Sequence, residues 1–322
     1  MSAHTILLFT EAGPAADIYR QLLPSGWVLE SLDSRGDEAE KLDRLSRADV
    51  VISADVPLSP SHLDAAGRLK LIQRQGVGFD AVDLDAAEER GIAVCLCPVG
   101  TPEAVAEHTI LLMLAVGRFL VALDAEVTAG RWPKWDYRGR SMGLAGTRIG
   151  IVGFGRIGQA VTERLLAFGA RPLIAQRPER TLDATWTDRG VEAVADVDEA
   201  FRRSDIVSLH CPLTDETAGM VDRRRLELMP AHAFLINTGR GALVVEDDLV
   251  EHLRSERIAG AGLDVTVEEP PPPDHPLRAL SNVLLTPHLA AGTRRTQETK
   301  AHAVFDNAVA VMNGTEPRFR IR

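Results

Sequence analysis

Short apolar runs alternate with longer amphipathic stretches along almost the whole chain. The first series of runs has the length of strands and lies at 5–10, 27–32, 49–54, 69–76 and 92–97. A second series lies at 147–155, 171–176, 205–211, 233–239, 259–265 and 282–288. Strand-length runs that alternate with helical segments, such as 82–91, are typical of βα units and a parallel sheet. We therefore predict an α/β protein built from two such series.

The stretch at 101–127 between the two series is apolar on nearly every face in its middle. This pattern favours a buried helix, either as a hinge between domains or at a subunit contact. Residues 128–146 are rich in Gly, Trp and basic side chains, have no clear period, and predict an excursion from the core. Trp132 and Trp135 have two open explanations: capping of an active site in the same or a neighbouring subunit, or core packing. Residues 296–314 have apolar positions at helical spacing, and we expect them to return to the first domain.

Length, composition and net charge disfavour several classes of protein. A chain of 322 residues fits about two domains, and 45% hydrophobic with 25% charged residues is ordinary for a globular protein. The net charge of −10 disfavours nucleic acid, and the apolar stretch 108–117 is too short to cross a bilayer. The first residues lack the basic region of a signal peptide, and three cysteines show no zinc-site spacing. We expect a cytoplasmic protein without a metal, nucleic-acid or membrane partner.

The motif "GFGRIG" forms the pattern G-x-G-x-x-G with Gly153, Gly155 and Gly158. An apolar strand precedes it and an amphipathic helix follows it, which is the context that a dinucleotide-binding turn requires. Gly153 permits the tight turn, Gly155 lets a pyrophosphate approach, and Gly158 allows close packing of helix and strand. The start of the helix, at Arg156 and Ile157, adds backbone N–H donors and a partial positive charge.

The residue type at the end of the strand at 171–176 indicates whether the dinucleotide is NAD or NADP. NAD-binding turns place an acidic residue there for the ribose hydroxyls, but this chain has Gln176 and Arg177. A guanidinium can pair bidentately with a 2′-phosphate, which modestly favours NADP. The alternative is a solvated Arg177 and an NAD site with a weaker ribose contact.

Three residues after later strands form a coherent chemical set: Arg240, Glu269 and His288. Open α/β sheets bind ligands at the carboxyl ends of their strands, so these residues, with Asp264, are expected to face one crevice. Reduction of a 2-oxo acid requires a proton donor at the carbonyl oxygen and a planar cation at the carboxylate. Each residue alone has a structural explanation as a loop arginine, a surface carboxylate or a strand-end histidine. Their joint occurrence after a dinucleotide turn favours catalysis.

Seven motifs together resemble the D-isomer-specific 2-hydroxyacid dehydrogenase family over nearly the whole chain. They lie at 76–94, 103–109, 150–161, 208–217, 235–241, 260–265 and 284–293. The resemblance implies a central Rossmann-type doubly wound parallel-sheet domain at 101–291, with a dimerisation helix and excursion near 102–146. It also implies a discontinuous flavodoxin-like α/β substrate domain made of 1–100 and 292–322, and a homodimer.

The resemblance further assigns roles residue by residue. It implies that Arg240 clamps the substrate carboxylate and that Glu269 and His288 act as a general acid/base pair. It places Val77, Gly78 and Arg74 at the substrate, and Arg74 would face a second acidic substrate group. The positions that it implies at the cofactor are Thr101, Cys211, Pro212, Thr217, Thr238 and Asp264.

The resulting hypothesis is an NAD(P)-dependent oxidoreductase that interconverts a small 2-oxo acid, such as glyoxylate or hydroxypyruvate, and the D-2-hydroxy acid. A phosphoglycerate- or phosphonate-type dehydrogenase is the alternative within the enzyme class. Formate oxidation is disfavoured because it uses a glutamine where Glu269 stands. Departures from the family pattern at Cys97, Thr101, Thr266 and Val267 leave the substrate open. A non-enzymatic dinucleotide-sensing scaffold of the corepressor type is the alternative from another class.

Overall fold

The computed structural model describes residues 3–10, 13–33, 36–53, 56–79, 81–177 and 179–322. Two residues of the segments singled out above lie outside these ranges, Ala54 and Asp80, and so does Pro178, which follows Arg177. The chain divides into two compact units, Met1–Thr101 with Gly292–Arg322, and Pro102–Ala291. Each unit is built around its own parallel sheet.

The first unit begins with five strands and four helices in alternation. The strands are β1 (His4–Phe9), β2 (Trp27–Leu32), β3 (Val50–Ser53), β4 (Leu71–Arg74) and β5 (Ala93–Cys95). The helices are α1 (Pro14–Leu22), α2 (Glu38–Arg47), α3 (Pro60–Ala65) and α4 (Leu84–Glu89). The described strands pair in parallel in the order β2-β1-β3-β4-β5, which is the flavodoxin-like order. β3 and β4 are buried along their whole length, as expected for strands covered on both faces.

The second unit contains the helices that follow and a larger sheet. The helices are α5 (Thr101–Gly117), whose first residue belongs to the first unit, α6 (Leu120–Thr128), α7 (Lys134–Arg138), α8 (Arg156–Ala167), α9 (Ala184–Thr187), α10 (Val197–Arg203), α11 (Arg223–Leu226) and α12 (Glu246–Arg254). The strands are β6 (Arg148–Val152), β7 (Arg171–Ala175), β8 (Glu192–Ala193), β9 (Ile206–Leu209), β10 (Phe234–Asn237), β11 (Gly260–Leu263) and β12 (Val283–Leu285). Short 3₁₀ helices cover Gly241–Leu243 and Pro276–Ala279.

The strand order of the second sheet defines where a ligand can bind. The described strands pair in parallel as β12-β11-β10-β9-β6-β7-β8, so the chain runs outward from β6 in one direction and then in the other. This is the doubly wound order of the Rossmann fold. The direction reverses between β6 and β9, and the carboxyl ends of these two strands form the crevice in which such sheets bind ligands.

The stretch 101–127 does not form one buried helix. α5 ends at Gly117, Phe119 has a left-handed backbone conformation (φ 54°), and α6 starts at Leu120. The break has a packing reason, because the Phe119 ring lies 5.3 Å from the Tyr137 ring and Met142 N–H donates to the Gly117 carbonyl. α6 contains no buried residue within the chain, so for this part of the stretch only the second explanation, burial at a subunit contact, stays as a prediction.

The last helix, α13 (Arg294–Met312), belongs to the first unit. Its side chains Ala301, Val304, Phe305 and Ala308 join the apolar core around β1, β3 and β4. In the part of the chain that the structure describes, no helix is both long enough and apolar enough to cross a membrane.

Candidate active site

The turn after β6 contains two glycines at which any side chain would clash with nearby backbone atoms. Gly153 has φ 96°, and a Cβ atom there would lie 2.6 Å from the backbone nitrogen of Cys211. A Cβ atom at Gly158 would collide with the carbonyl oxygen of Gly153. These two glycines therefore let β6, the first turn of α8 and the residue after β9 approach closely at the switch point of the sheet.

Gly155 differs from the other two glycines because its Cβ position is open. No described heavy atom lies within 4 Å of that position, and no side chain caps α8, which starts at Arg156. The first N–H groups of an α-helix have no partner inside the helix. Open space next to uncapped N–H donors fits an anionic phosphate group, so the residues present are compatible with a dinucleotide pyrophosphate.

The end of β7 carries no acidic side chain at the expected ribose position. The Gln176 amide donates from Nε2 to the Arg180 carbonyl at 3.1 Å. Arg177 is exposed, and its guanidinium makes no hydrogen bond or ion pair with the residues that the structure describes. An amide and an exposed cation at this place are compatible with either dinucleotide.

The two residues directly after β9, His210 and Cys211, are neutral at physiological pH. Burial raises the pKa of the Cys211 thiol to about 11 and lowers the pKa of His210 to about 4. His210 is also held in place by Ser208, whose Oγ lies 2.9 Å from its Nε2. Thr217 orders the loop by donating from Oγ1 to the Pro212 carbonyl at 2.6 Å. Cys211 is thus no nucleophile and His210 no proton donor near pH 7.

Arg240 lies in a loop that a buried asparagine organises. Asn237, the last residue of β10, donates from Nδ2 to the Arg240 carbonyl at 2.8 Å and accepts from Gly239 N–H at 3.0 Å. The Arg240 guanidinium itself donates from Nη1 to the Gly239 carbonyl at 2.9 Å. Thr238 is buried, and its hydroxyl lies 2.9 Å from the Thr109 hydroxyl of α5. The loop and its arginine therefore have a defined conformation before any substrate binds.

The loop with Arg240 lies directly against the loop with Glu269. A Cβ atom at Gly241 would collide with the carbonyl group of Thr266. Only glycine allows this approach of the two backbones. The cation of one loop and the carboxylate of the other are consequently placed at the same edge of the sheet.

Glu269 and His288 form a hydrogen-bonded pair. Nδ1 of His288 donates to Oε2 of Glu269 at 2.7 Å, because an ionised carboxylate only accepts. Oε1 of Glu269 accepts from Thr266 N–H at 3.1 Å, so both carboxylate oxygens are oriented. The side chains are 33% and 35% exposed for His288 and Glu269, which leaves the pair open to solvent and to small molecules.

Asp264 holds the turn that carries His288. Its fully buried carboxylate accepts from Thr286 Oγ1 at 2.6 Å, Leu289 N–H at 2.9 Å and Ala290 N–H at 2.8 Å. Since the Thr286 hydroxyl hydrogen is used on Asp264, its oxygen accepts from Nε2 of His108 at 2.9 Å. Burial raises the pKa of Asp264, but His108, whose Nε2 lies 3.4 Å from Oδ1, and the bonds from Thr286 and the two amides outweigh it, and the pKa lies below its usual value. The structure thus places Asp264 behind the site, and its contact with a nicotinamide stays a prediction.

The first unit contains the other sequence-predicted residues. Arg74 is only 4% exposed and donates from Nε to the Gly78 carbonyl at 3.1 Å and from Nη1 to Ser53 Oγ at 3.2 Å. Val77 is exposed in the same loop. Thr101 is buried, and its hydroxyl has no hydrogen-bond partner among the described residues. A buried hydroxyl in this state fits a ligand contact.

Sequence reasoning missed three residues that build the site: Asn237, His108 and Thr286. Weak signals could have found the first two. Asn237 is a polar residue at the end of an apolar strand, and His108 is a lone histidine in an apolar helix. The second signal does not indicate the partner of His108, because His108 and Thr286 are 178 positions apart.

Comparisons with known proteins decide the family. The model of the D-isomer specific 2-hydroxyacid dehydrogenase NAD binding domain matches residues 110–290. A glyoxylate reductase of Thermofilum pendens is 41% identical over 257 residues, which are 79% of this chain and 75% of that protein. This chain belongs to the D-isomer-specific 2-hydroxyacid dehydrogenase family. The predicted family, fold class and enzyme class are thereby confirmed.

The chain is also similar to proteins with other names. A D-3-phosphoglycerate dehydrogenase of Methanocaldococcus jannaschii is 37% identical over 85% of this chain, which spans 52% of that protein. The TT0316 protein of Thermus thermophilus has a TM-score of 0.87 at 39% identity, with 99% and 100% of the two chains covered.

Two solved structures contain a nicotinamide dinucleotide. A formate dehydrogenase of Staphylococcus aureus in complex with NAD has 30% identity and a TM-score of 0.85, with 97% of this chain and 96% of that chain covered. An acyclic imino acid reductase in complex with NADPH and D-Arg has 27% identity and a TM-score of 0.83, with 99% and 100% covered. As a member of this family, the chain is a nicotinamide-dinucleotide-dependent oxidoreductase that interconverts a 2-oxo acid and a D-2-hydroxy acid.

Proposed function

We propose that the protein reduces a small 2-oxo acid, such as glyoxylate or hydroxypyruvate, with Arg240, Glu269 and His288 as its catalytic residues. The observation that carries this proposal is the 2.7 Å bond between His288 Nδ1 and Glu269 Oε2, next to the loop of Arg240. The names of the similar proteins, glyoxylate reductase and hydroxypyruvate reductase, support the substrate class.

The proposed roles follow from the chemistry of the reaction. When bound, the nicotinamide supplies the hydride for reduction or accepts it for oxidation. His288 donates a proton from Nε2 to the substrate oxygen, while its Nδ1–H remains on Glu269. The Glu269 carboxylate stabilises the imidazolium form and fixes the orientation of the ring. Arg240 binds the substrate carboxylate with its planar fork and polarises the neighbouring carbonyl group.

The substrate carboxylate is proposed to bind the backbone amides of Val77 and Gly78. Arg74 supports this role from behind the loop, since it donates to the Gly78 carbonyl and is almost fully buried. A guanidinium used in this way holds the loop rather than a second acidic group of the substrate. This arrangement favours a substrate with one carboxylate over a phosphoglycerate- or phosphonate-type substrate.

The proposed cofactor is NADP, with NAD as the alternative. Gly153, Gly155 and Gly158 with the first amides of α8, at Arg156 and Ile157, would hold the pyrophosphate. Gln176 and Arg177 would meet the adenosine ribose, and the cation of Arg177 favours a 2′-phosphate. Further contacts are proposed from Thr101, Cys211, Pro212, Thr217, Thr238 and Asp264. The buried hydroxyl of Thr101 and the open space at Gly155 support this assignment.

A homodimer in the cytoplasm is the proposed working form. Large apolar side chains of α5, α6 and the following excursion are exposed, among them Leu111, Leu120, Val121 at 59%, Trp132 at 79% and Trp135. A group of this kind on a globular protein marks an interaction surface. A second copy of the chain is its proposed partner. All three cysteines are free, which suits a reducing compartment.

A substrate panel measured with both cofactors tests the proposal. The purified protein is expected to oxidise NADPH, and more weakly NADH, with glyoxylate or hydroxypyruvate, and to turn over phosphohydroxypyruvate poorly. His288→Ala is expected to lower kcat by about 10²–10⁴-fold, the usual contribution of general acid catalysis. No turnover of any 2-oxo acid with either cofactor would refute the proposed substrate class. An unchanged kcat in the variant would instead remove His288 from the mechanism. The scaffold hypothesis predicts no turnover by the wild type and little loss of partner binding in His288→Ala.

A further inference from the structure

Glu246, the first residue of α12, connects two loops of the second unit. Its Oε2 accepts from the backbone N–H of Val267 at 3.2 Å. Its Oε1 accepts from Nε2 of His275 at 2.8 Å. Both side chains are largely buried, so solvent competes little for these bonds. The roles proposed above for catalysis and for binding do not involve either residue.

The Val267 amide belongs to the turn that orients Glu269. In this turn Thr266 N–H donates to Glu269 Oε1, and Thr266 Oγ1 donates to the Glu268 carbonyl at 2.7 Å. These bonds are internal to the turn and fix its shape only. The bond from Val267 to Glu246 attaches the turn to α12. It therefore fixes the position of the Glu269 carboxylate relative to the rest of the second unit.

His275 in turn fixes the carboxylate of Glu246. Nδ1 of His275 accepts from Leu277 N–H at 3.4 Å, at the start of the 3₁₀ helix, and this leaves the hydrogen on Nε2. Nε2 therefore donates to Glu246 and holds the carboxylate in the orientation that meets Val267. The chain of bonds runs from the 3₁₀ helix through His275 and Glu246 to the turn of Glu269, and from there to His288.

We propose that Glu246 and His275 are positioning residues that set the Glu269 carboxylate for its bond with His288. This inference rests on the proposed catalytic role of Glu269 and His288. General acid catalysis is sensitive to such support, since a displacement of about 1 Å in a reacting group can cost about 10²-fold in rate. The cofactor turn at Gly153 contributes no bond to this chain of contacts. The affinity of the protein for the cofactor is therefore expected not to depend on Glu246.

Two pairs of variants separate positioning from general stability. Glu246→Ala removes both bonds, whereas Glu246→Gln keeps an acceptor for Val267. His275→Ala removes the support of Glu246, whereas His275→Gln keeps a donor for it. Asp247→Ala is the matched control, because Asp247 is the next acidic residue of α12, is exposed, and has no hydrogen bond or ion pair from its side chain to the described residues.

Steady-state kinetics with the best 2-oxo acid and cofactor give the first result. Glu246→Ala is expected to lower kcat by about 10–100-fold with KM for the cofactor unchanged, because only the alignment of the acid changes. His275→Ala is expected to lower kcat less. Each glutamine variant is expected to recover most of the loss of its alanine partner, and Asp247→Ala to match the wild type. A kcat of Glu246→Ala equal to that of Asp247→Ala would overturn the inference.

Hydrogen–deuterium exchange of the full chain without substrate gives a result that does not depend on activity. Peptides covering 264–270 are expected to exchange faster in Glu246→Ala than in the wild type and in Asp247→Ala. Equal exchange in these three proteins would overturn the inference. If the wild type turns over no 2-oxo acid, the proposed function fails, and exchange alone decides whether Glu246 holds the turn.

Discussion

Asp264→Asn changes one atom of the buried group that holds the turn of His288. The wild-type carboxylate receives Thr286 and Leu289 on Oδ1 and Ala290 on Oδ2. An asparagine can keep its oxygen on the first side only. Its NH₂ group would then face the Ala290 N–H, and two donors would oppose each other across 2.8 Å.

The magnitude follows from counting these bonds. Loss of the acceptor for a buried N–H costs about 1–3 kcal/mol. Two bonds that change from a charged to a neutral acceptor lose about 0.5–1.5 kcal/mol each. The expected destabilisation is therefore about 2–6 kcal/mol, which for a unit of this size corresponds to a decrease in Tm on the order of 10 °C.

Thermal unfolding measured by circular dichroism at pH 7 tests this value, with Asp247→Asn as an exposed control on α12. Asp264→Asn is also expected to have a reduced kcat, because the backbone amides next to His288 no longer bind a carboxylate. A Tm within about 2 °C of the control, which corresponds to less than about 1 kcal/mol, would refute the argument from buried hydrogen bonds.

The pH dependence of the difference provides a second test. The folded-state pKa of Asp264 lies below its usual value. A carboxyl group of this kind contributes stability above its unfolded pKa, about 3.9, and loses it as the pH falls through the lower folded pKa. The Tm difference between wild type and Asp264→Asn is thus expected to be constant from pH 5 to pH 8 and to shrink below about pH 4. A difference that grows on acidification would contradict this sign.

Three further predictions concern binding and assembly. Arg240→Lys is expected to lower kcat/KM for the 2-oxo acid by about 10–100-fold, because lysine keeps the charge but not the planar fork; near-normal steady-state kinetics would remove Arg240 from the site. Arg177→Ala is expected to weaken NADPH binding at least about tenfold more than NADH binding, measured by fluorescence titration; equal losses would mean that Arg177 does not contact a 2′-phosphate. Leu120→Lys combined with Val121→Lys is expected to convert a dimer into a monomer in light scattering, because two charges are placed on an exposed apolar surface; an unchanged mass would exclude α6 from the interface.

The alternation of strands and helices was predictable because it is encoded locally. Strand-length apolar runs and the glycines of "GFGRIG" act through neighbours in the chain, so the turn at Gly153 and the start of α8 follow from sequence. The same holds for the family motifs around Arg240, Glu269 and His288, whose residue types reflect the chemistry of the reaction.

Tertiary structure alone decided how these residues are supported. The break at Phe119 depends on a ring contact with Tyr137, and helix propensity contains no information about it. The role of Asp264 depends on Thr286 and on His108, and the support of Val267 depends on Glu246, 21 positions earlier. The physical reason is the strand order: β6, β9, β10, β11 and β12 bring their carboxyl ends to one edge of the sheet. Buried donors and acceptors from distant segments can pair there, and only the folded chain determines which of them meet.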